Sequence, residues 1–147
     1  MEQTKVQITR QSDYAIRIVL ELSKVPFGQL LNTRVISMKL DIPEDFLKKT
    51  VQLLAHAGLV ATQRGSQGGV RLAIPSDKIT ILNVITAIEG QIALNDCLAD
   101  AGSCPNMPTC QAHRILKRAQ SSLVEELKKE TFADLVEMEK KFPRKSY

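Results

Sequence analysis

The 147-residue sequence predicts a mainly α-helical fold with a small β-hairpin wing: a winged helix-turn-helix domain followed by a long C-terminal dimerisation helix. Three observations predict it. Two short amphipathic segments meet at "LDIPED", a tight turn of the kind that joins paired helices. Directly after them, the glycine-rich "GSQGG" separates two strand-like stretches. From Gln111 onward, "QAHRILKRAQSSLVEELKKE" carries apolar residues at helical spacing over several turns.

The elements follow in order. "ITRQSDYAIRIVLELSKV" places Tyr14, Ala15, Ile18, Val19 and Leu22 on one stripe, with Thr9 or Ser12 as its cap, and "PFGQL" breaks the pattern. "NTRVISMKLDI" offers Val35, Ile36 and Leu40 as a short apolar face. The next helix has Asp41 as a candidate cap, Pro43 in its first turn, and Glu44 and Asp45 at its positive end. Phe46, Leu47, Val51, Leu54 and Ala55 form its buried side, and Gly58 ends it. In the hairpin, Val70, Leu72 and Ile74 alternate with Arg71 and Ala73. "SDKITILNVITAIEG" is a further helix, capped by Thr80 and closed by Gly90. The long helix presents Ala112, Ile115, Leu116, Ala119, Leu123 and Leu127, which suits packing on a second copy. Thr131 and Asp134 then form a capping box for a terminal helix. The expected organisation is residues 1–90 for DNA binding, 91–110 for a cysteine loop, and 111–147 for the dimerisation helix and a C-terminal helix.

Composition narrows the function classes. A net charge of +4 and a pI near 9.1 fit a nucleic-acid partner without requiring one. Aromatics make up only 4% of the residues and tryptophan is absent, so the core is expected to be aliphatic. No apolar run has signal-peptide or membrane-span length, and the expected location is cytoplasmic, with no membrane partner. There is no nucleophile–base motif, and "GSQGG" sits in a hairpin rather than before a helix. Neither an enzyme nor a small-molecule substrate is expected.

A helix-turn-helix followed by a hairpin places DNA contacts at defined positions. Asp45, Lys48 and Lys49 lie early on the exposed side of the second helix, where lysines contact phosphate or guanine and an acid accepts from cytosine. Arg64, Ser66 and Gln67 lie at the wing tip and Arg71 follows on the second strand. A minor-groove arginine and a phosphate contact are the readings for Arg64 and Arg71. The plainer alternative is a solvated turn in which the glycines only permit the bend.

All three cysteines fall within "CLADAGSCPNMPTCQAH", as Cys97, Cys104 and Cys110, with His113 three residues beyond the last. The spacing is neither a tight zinc knuckle nor a thioredoxin-like pair. Gaps of six and five residues suit a loop around something larger than one ion. Cys110 and His113, at i and i+3 of a helix start, share a face. No lysine or arginine occurs from Ile79 to His113, so no local cation is supplied to activate a thiol, and a metal or cluster becomes the natural partner. On spacing alone an iron–sulfur cluster and a zinc site stand level.

The combination of "SDYAIRIVLELS", "LLAHAGLVATQRGSQGGVRLA" and the three-cysteine loop resembles the Rrf-two family of bacterial winged helix-turn-helix transcriptional regulators, over essentially the whole chain. The resemblance implies a homodimer on a palindromic operator in double-stranded DNA, acting for example as a repressor. It also implies an iron–sulfur cluster on Cys97, Cys104 and Cys110 whose state (redox, nitric oxide, iron or cluster supply) tunes DNA affinity. Two residues match a family fourth ligand. His113 matches that of the iron–sulfur-assembly regulators, which hold a [2Fe–2S] cluster. Asp13, contributed across the dimer, matches that of the nitric-oxide-sensing regulators, which hold a [4Fe–4S] cluster. His113 is preferred because its geometry with Cys110 needs one chain. The x6 spacing departs from the x5 usual in both subgroups. Where the assembly regulators carry a glutamate this chain has Lys48, which implies a different operator preference. Zinc-stabilised and cluster-free thiol-switch regulators are the alternatives.

Overall fold

The computed structural model describes residues 7–95, Leu98 and residues 109–143. Helix α1 spans Arg10–Ser23. The Thr9 hydroxyl accepts from the Ser12 N–H at 3.2 Å and so satisfies one of the free donors at the helix start. Ala15, Ile18, Val19 and Leu22 are buried, the stripe that their spacing predicts.

Helix α2 spans Thr33–Leu40 and α3 spans Glu44–His56. Between them the structure corrects two expectations. Asp41 does not cap α3. It ends α2 in the left-handed conformation (φ 53°), which a short polar side chain tolerates better than a bulky one. Pro43 takes the N-cap position of α3 without a side-chain hydrogen bond, leaving Glu44 and Asp45 to offset the exposed N–H groups. Val35 is 60% exposed, and Ile36 alone carries α2 fully into the core. In α3, Leu47, Val51 and Leu54 are buried beside Thr50, whose hydroxyl donates to the Phe46 carbonyl at 2.8 Å. The Phe46 ring meets Tyr14 edge-on at 5.5 Å and ties α3 to α1.

Strands β1 (Val60–Gln63) and β2 (Gly69–Leu72) pair antiparallel, with Val60 opposite Leu72 and Gln63 opposite Gly69. Val70 and Leu72 point into the core while Arg71 faces solvent. Leu31 adds a third rung: its N–H donates to the Val70 carbonyl at 2.8 Å and its carbonyl accepts from the Val70 N–H at 2.9 Å. The wing is therefore sewn to the segment that leads into α2.

A single 3₁₀ turn (Ser76–Lys78) leads into α4 (Ile81–Glu89), which starts with a capping box between Thr80 and Asn83 and ends at Gly90. Helix α5 covers Gln111–Leu127 and α6 covers Phe132–Lys141, the latter opened by the Thr131–Asp134 capping box. Helix α6 returns to the winged unit. Thr131 bridges Thr80, the Phe132 N–H donates to the Ile79 carbonyl at 2.9 Å, and Phe132 is fully buried. It is the one aromatic among the buried side chains of a core otherwise built, among the described residues, from aliphatic groups of α1 to α4, the hairpin and the segments that join them.

Charge fastens the same junction. Glu21, buried on α1, is bridged by Lys24 at 2.8 Å and by Lys39 of α2 at 2.7 Å, while Lys24 also reaches Glu139 of α6 at 2.8 Å. Burial alone would raise the Glu21 carboxyl. The hydrogen bonds and charges of Lys24 and Lys39 outweigh it and hold the group below its ordinary value near 4.5. A depressed carboxyl adds stability above its unfolded pKa and loses it as pH falls through the folded value. Glu21→Gln is thus expected to cost about 1–2 kcal/mol at neutral pH. Urea melts of the variant and the parent should converge as the pH is lowered below about 4; a gap independent of pH would show that shape rather than charge sets the cost.

Candidate functional site

The exposed stripe of α3 and the wing form the first candidate surface. Asp45, Lys48 and Lys49 all face solvent, one helical turn or less apart. Lys48 is drawn toward the helix start by Glu44, at 3.7 Å. Lys48 and Arg64 line one cleft of about 550 Å³ between α3, the start of α2 and the hairpin. Ser66 and Gln67 are exposed at the tip, and Arg71 is exposed on the outer side of β2, opposite Ala61. The structure thus brings Lys48 and Arg64 together, while Asp45, Lys49, Ser66, Gln67 and Arg71 lie outside that cleft. The cleft also holds Gln52, Asn32 and Thr33, which the sequence reading passed over. Gln52 could have been found by counting, since it stands four residues after Lys48 on the same face.

The glycines of the wing do more than permit a turn. A Cβ on Gly68 would stand 2.1 Å from the Gln63 carbonyl oxygen, and one on Gly69 would stand 2.2 Å from that of Leu31. Backbone approaches backbone too closely at both positions for any side chain.

The second candidate surface is the head of α5. Cys110 is the N-cap of this helix, its Sγ accepting from the His113 N–H at 3.4 Å. Both residues are partly exposed. Cys97 and Cys104 lie outside the described residues. Among the described residues no three His, Cys, Asp or Glu side chains are gathered as a metal group, so Asp13 does not join Cys110 and His113 within one chain. Asp13 is instead paired with Arg17 at 3.1 Å and remains half exposed. A thiol and an imidazole at one helix start, each with an accessible side, are soft and borderline donors of the kind that iron–sulfur clusters and zinc accept.

Helix α5 itself has no fully buried residue. His113, Leu116, Gln120, Val124 and Leu127 turn partly inward, whereas Ile115 is 58% and Leu123 37% exposed. The Gln120 side chain accepts from the Leu94 N–H at 2.9 Å and straps the segment after α4 to the helix. An apolar groove lined by Ile8, Ile85, Leu94, Leu123 and Leu127 runs beside that strap.

The profile of the Rrf2 (Rrf-two) family, described as an iron-dependent transcriptional regulator, matches residues 8–138. The chain belongs to the Rrf2 family. Protein aau3 of Rhizobium meliloti is 34% identical over 89% of this chain and 85% of its own length. The structure of CymR, the global cysteine regulator of B. subtilis, superposes with a TM-score of 0.71 at 26% identity, covering 91% of this chain and 98% of CymR. IscR of T. potens shares the fold, with a TM-score of 0.75 at 20% identity over 97% of this chain and 94% of that one. Rrf2 membership makes this chain a DNA-binding transcriptional regulator and not an enzyme. No helix among its described residues is long and apolar enough to cross a membrane.

Proposed function

We propose that this Rrf2 protein is a homodimeric repressor whose affinity for a palindromic operator is set by an iron–sulfur cluster held by Cys97, Cys104 and Cys110. The observation that carries the reading is the position of Cys110. It caps the first turn of α5, the one α-helix among the described residues with no fully buried side chain, which leaves Ile115 and Leu123 exposed. A ligand at Cys110 therefore sits at the end of the element best suited to meet a second copy. The iron-dependent description of the family supports the cofactor class.

His113 is the fourth ligand that one chain supplies by itself, and the partner subunit's Asp13 is the alternative. When bound, the cluster supplies a site that responds to redox state, nitric oxide or iron supply. The rest belongs to the protein. Each α3 enters a major groove with Asp45, Lys48 and Lys49 forward, Arg64 enters the minor groove from the wing tip, and Ser66, Gln67 and Arg71 hold the flanking backbone. Moving the head of α5 changes the relative pose of the two α3 helices, and two poses of unequal DNA affinity suffice for a switch.

The test is purification without air. The parent protein should carry visible absorbance with matched iron and sulfide, and Cys104→Ala should lose it. A fully coloured Cys104→Ala variant would remove that ligand. Colourless parent protein containing zinc would replace the cluster with a structural metal. The likeness to CymR, named for cysteine rather than iron, favours a second reading in which the cysteines act as thiols. Iron-free protein whose operator binding responds to oxidant would decide for it.

A further inference from the structure

We propose that Gln52 reads an adenine in each operator half-site. The proposal rests on the DNA-binding role of the chain and concerns which residue gives it sequence preference. Asp45, Lys48, Lys49 and Gln52 recur at spacings of three and four and are all exposed, so they form one stripe down α3 opposite its buried side. Gln52 is the uncharged long side chain of that stripe. It shares its cleft with Lys48 and with Arg64 of the wing, which places it between the two parts of the protein that approach the duplex.

Charge and hydrogen-bonding capacity separate a base contact from a phosphate contact at this position. Phosphates are met by cations, whose binding releases condensed counterions, and Lys48, Lys49 and Arg64 already supply cations around the cleft. A neutral amide gains nothing from counterion release. Its paired acceptor and donor instead match adenine N6 and N7 on the major-groove edge. The Gln52 amide makes no hydrogen bond within the described residues, so no internal partner has to be given up. Lys48, one turn before it, is paired with Glu44 at 3.7 Å, toward the helix start and away from the Gln52 end of the stripe. Seven residues separate Gln52 from Asp45. At about 1.5 Å per residue this is about 10 Å, or roughly three base-pair steps. Asp45, suited to accept from cytosine, and Gln52, suited to adenine, would read positions about three pairs apart.

The experiment selects preferred duplexes from a random pool with the full-length parent protein. It then measures binding of the parent, Gln52→Ala and Gln52→Glu to every single-base-pair variant of the selected site at one salt concentration. Gln52→Ala should lose about 5- to 150-fold of discrimination at one A·T pair per half-site, with the other positions and the salt dependence unchanged. Gln52→Glu should shift the preference at that pair toward cytosine, which loss of a merely structural side chain would not do. Uniform weakening across all sequences with a shallower salt dependence would make Gln52 a phosphate contact and overturn the proposal. An unchanged profile would make it a solvated surface residue and overturn it equally. Failure of the parent to select any sequence would overturn the operator-binding role together with this proposal, whereas the two preceding outcomes leave that role standing.

Discussion

Phe132→Ala is expected to destabilise the protein by about 3–5 kcal/mol, a large part of the stability of a domain this size. The side chain is fully buried, the largest so placed among the described residues, and it meets aliphatic groups contributed by several helices. Truncation removes its apolar area and leaves a void that surrounding secondary structure cannot collapse to fill. The backbone bond from Phe132 to Ile79 and the Thr131–Asp134 box survive the substitution, so α6 should still form as a helix while losing its grip on the core. Urea denaturation measures the effect, with Phe27→Ala as the control. Phe27 is 59% exposed, and its removal should change stability by less than about 0.5 kcal/mol. Equal effects at the two positions would refute the packing described for α6.

Gly69→Ala is expected to cost about 2–3 kcal/mol and to weaken operator binding as well. Its Cβ would stand 2.2 Å from the Leu31 carbonyl oxygen, so either β2 or the segment before α2 has to move. Such a movement breaks the reciprocal Leu31–Val70 hydrogen bonds, which orient the wing relative to the helix pair. Gly65→Ala is the comparison. Gly65 has φ +102° but nothing within 4 Å of its would-be Cβ, so only the conformational penalty of about 1 kcal/mol applies. Thermal melts and operator titrations of both variants should rank Gly69→Ala well below Gly65→Ala. The reverse order would mean that backbone conformation, not the approach of Leu31, governs the wing.

Features set by neighbours in the chain were readable from the sequence. Thr9, Thr80 and Thr131 cap helices because a hydroxyl reaches N–H groups two or three residues on, and the sequence contains both partners. The wing followed from alternation around glycines. Features set by distant partners were not readable. Asp41 suits a helix start and a left-handed helix end alike, and only the path of α2 into α3 decides between them. Phe132 signals an apolar face, but nothing local says that this face returns to Ile79. The need for glycine at position 69 depends on Leu31, 38 positions earlier. On α5 the inward side includes His113 and Gln120, polar residues that an apolar count assigns to solvent. At the candidate site, Lys48 and Arg64 stand out by charge and motif, whereas Gln52 was passed over because an uncharged amide carries no phosphate-contact signal, although its spacing of four from Lys48 puts it on the same face.

The return of α6 also has a mechanical side. Helix α5 is anchored where it ends, because Thr131 and Phe132 fasten the following residues to Thr80 and Ile79, the stretch that opens α4. From that anchor it runs as a lever arm of about 25 Å, so that each degree of tilt displaces Cys110 at its tip by about 0.4 Å. The Gln120–Leu94 hydrogen bond restrains the arm part-way along its length. The anchor belongs to the same packed body as α3, so in the proposed switch a torque applied at the sulfur end is delivered to the body that carries α3.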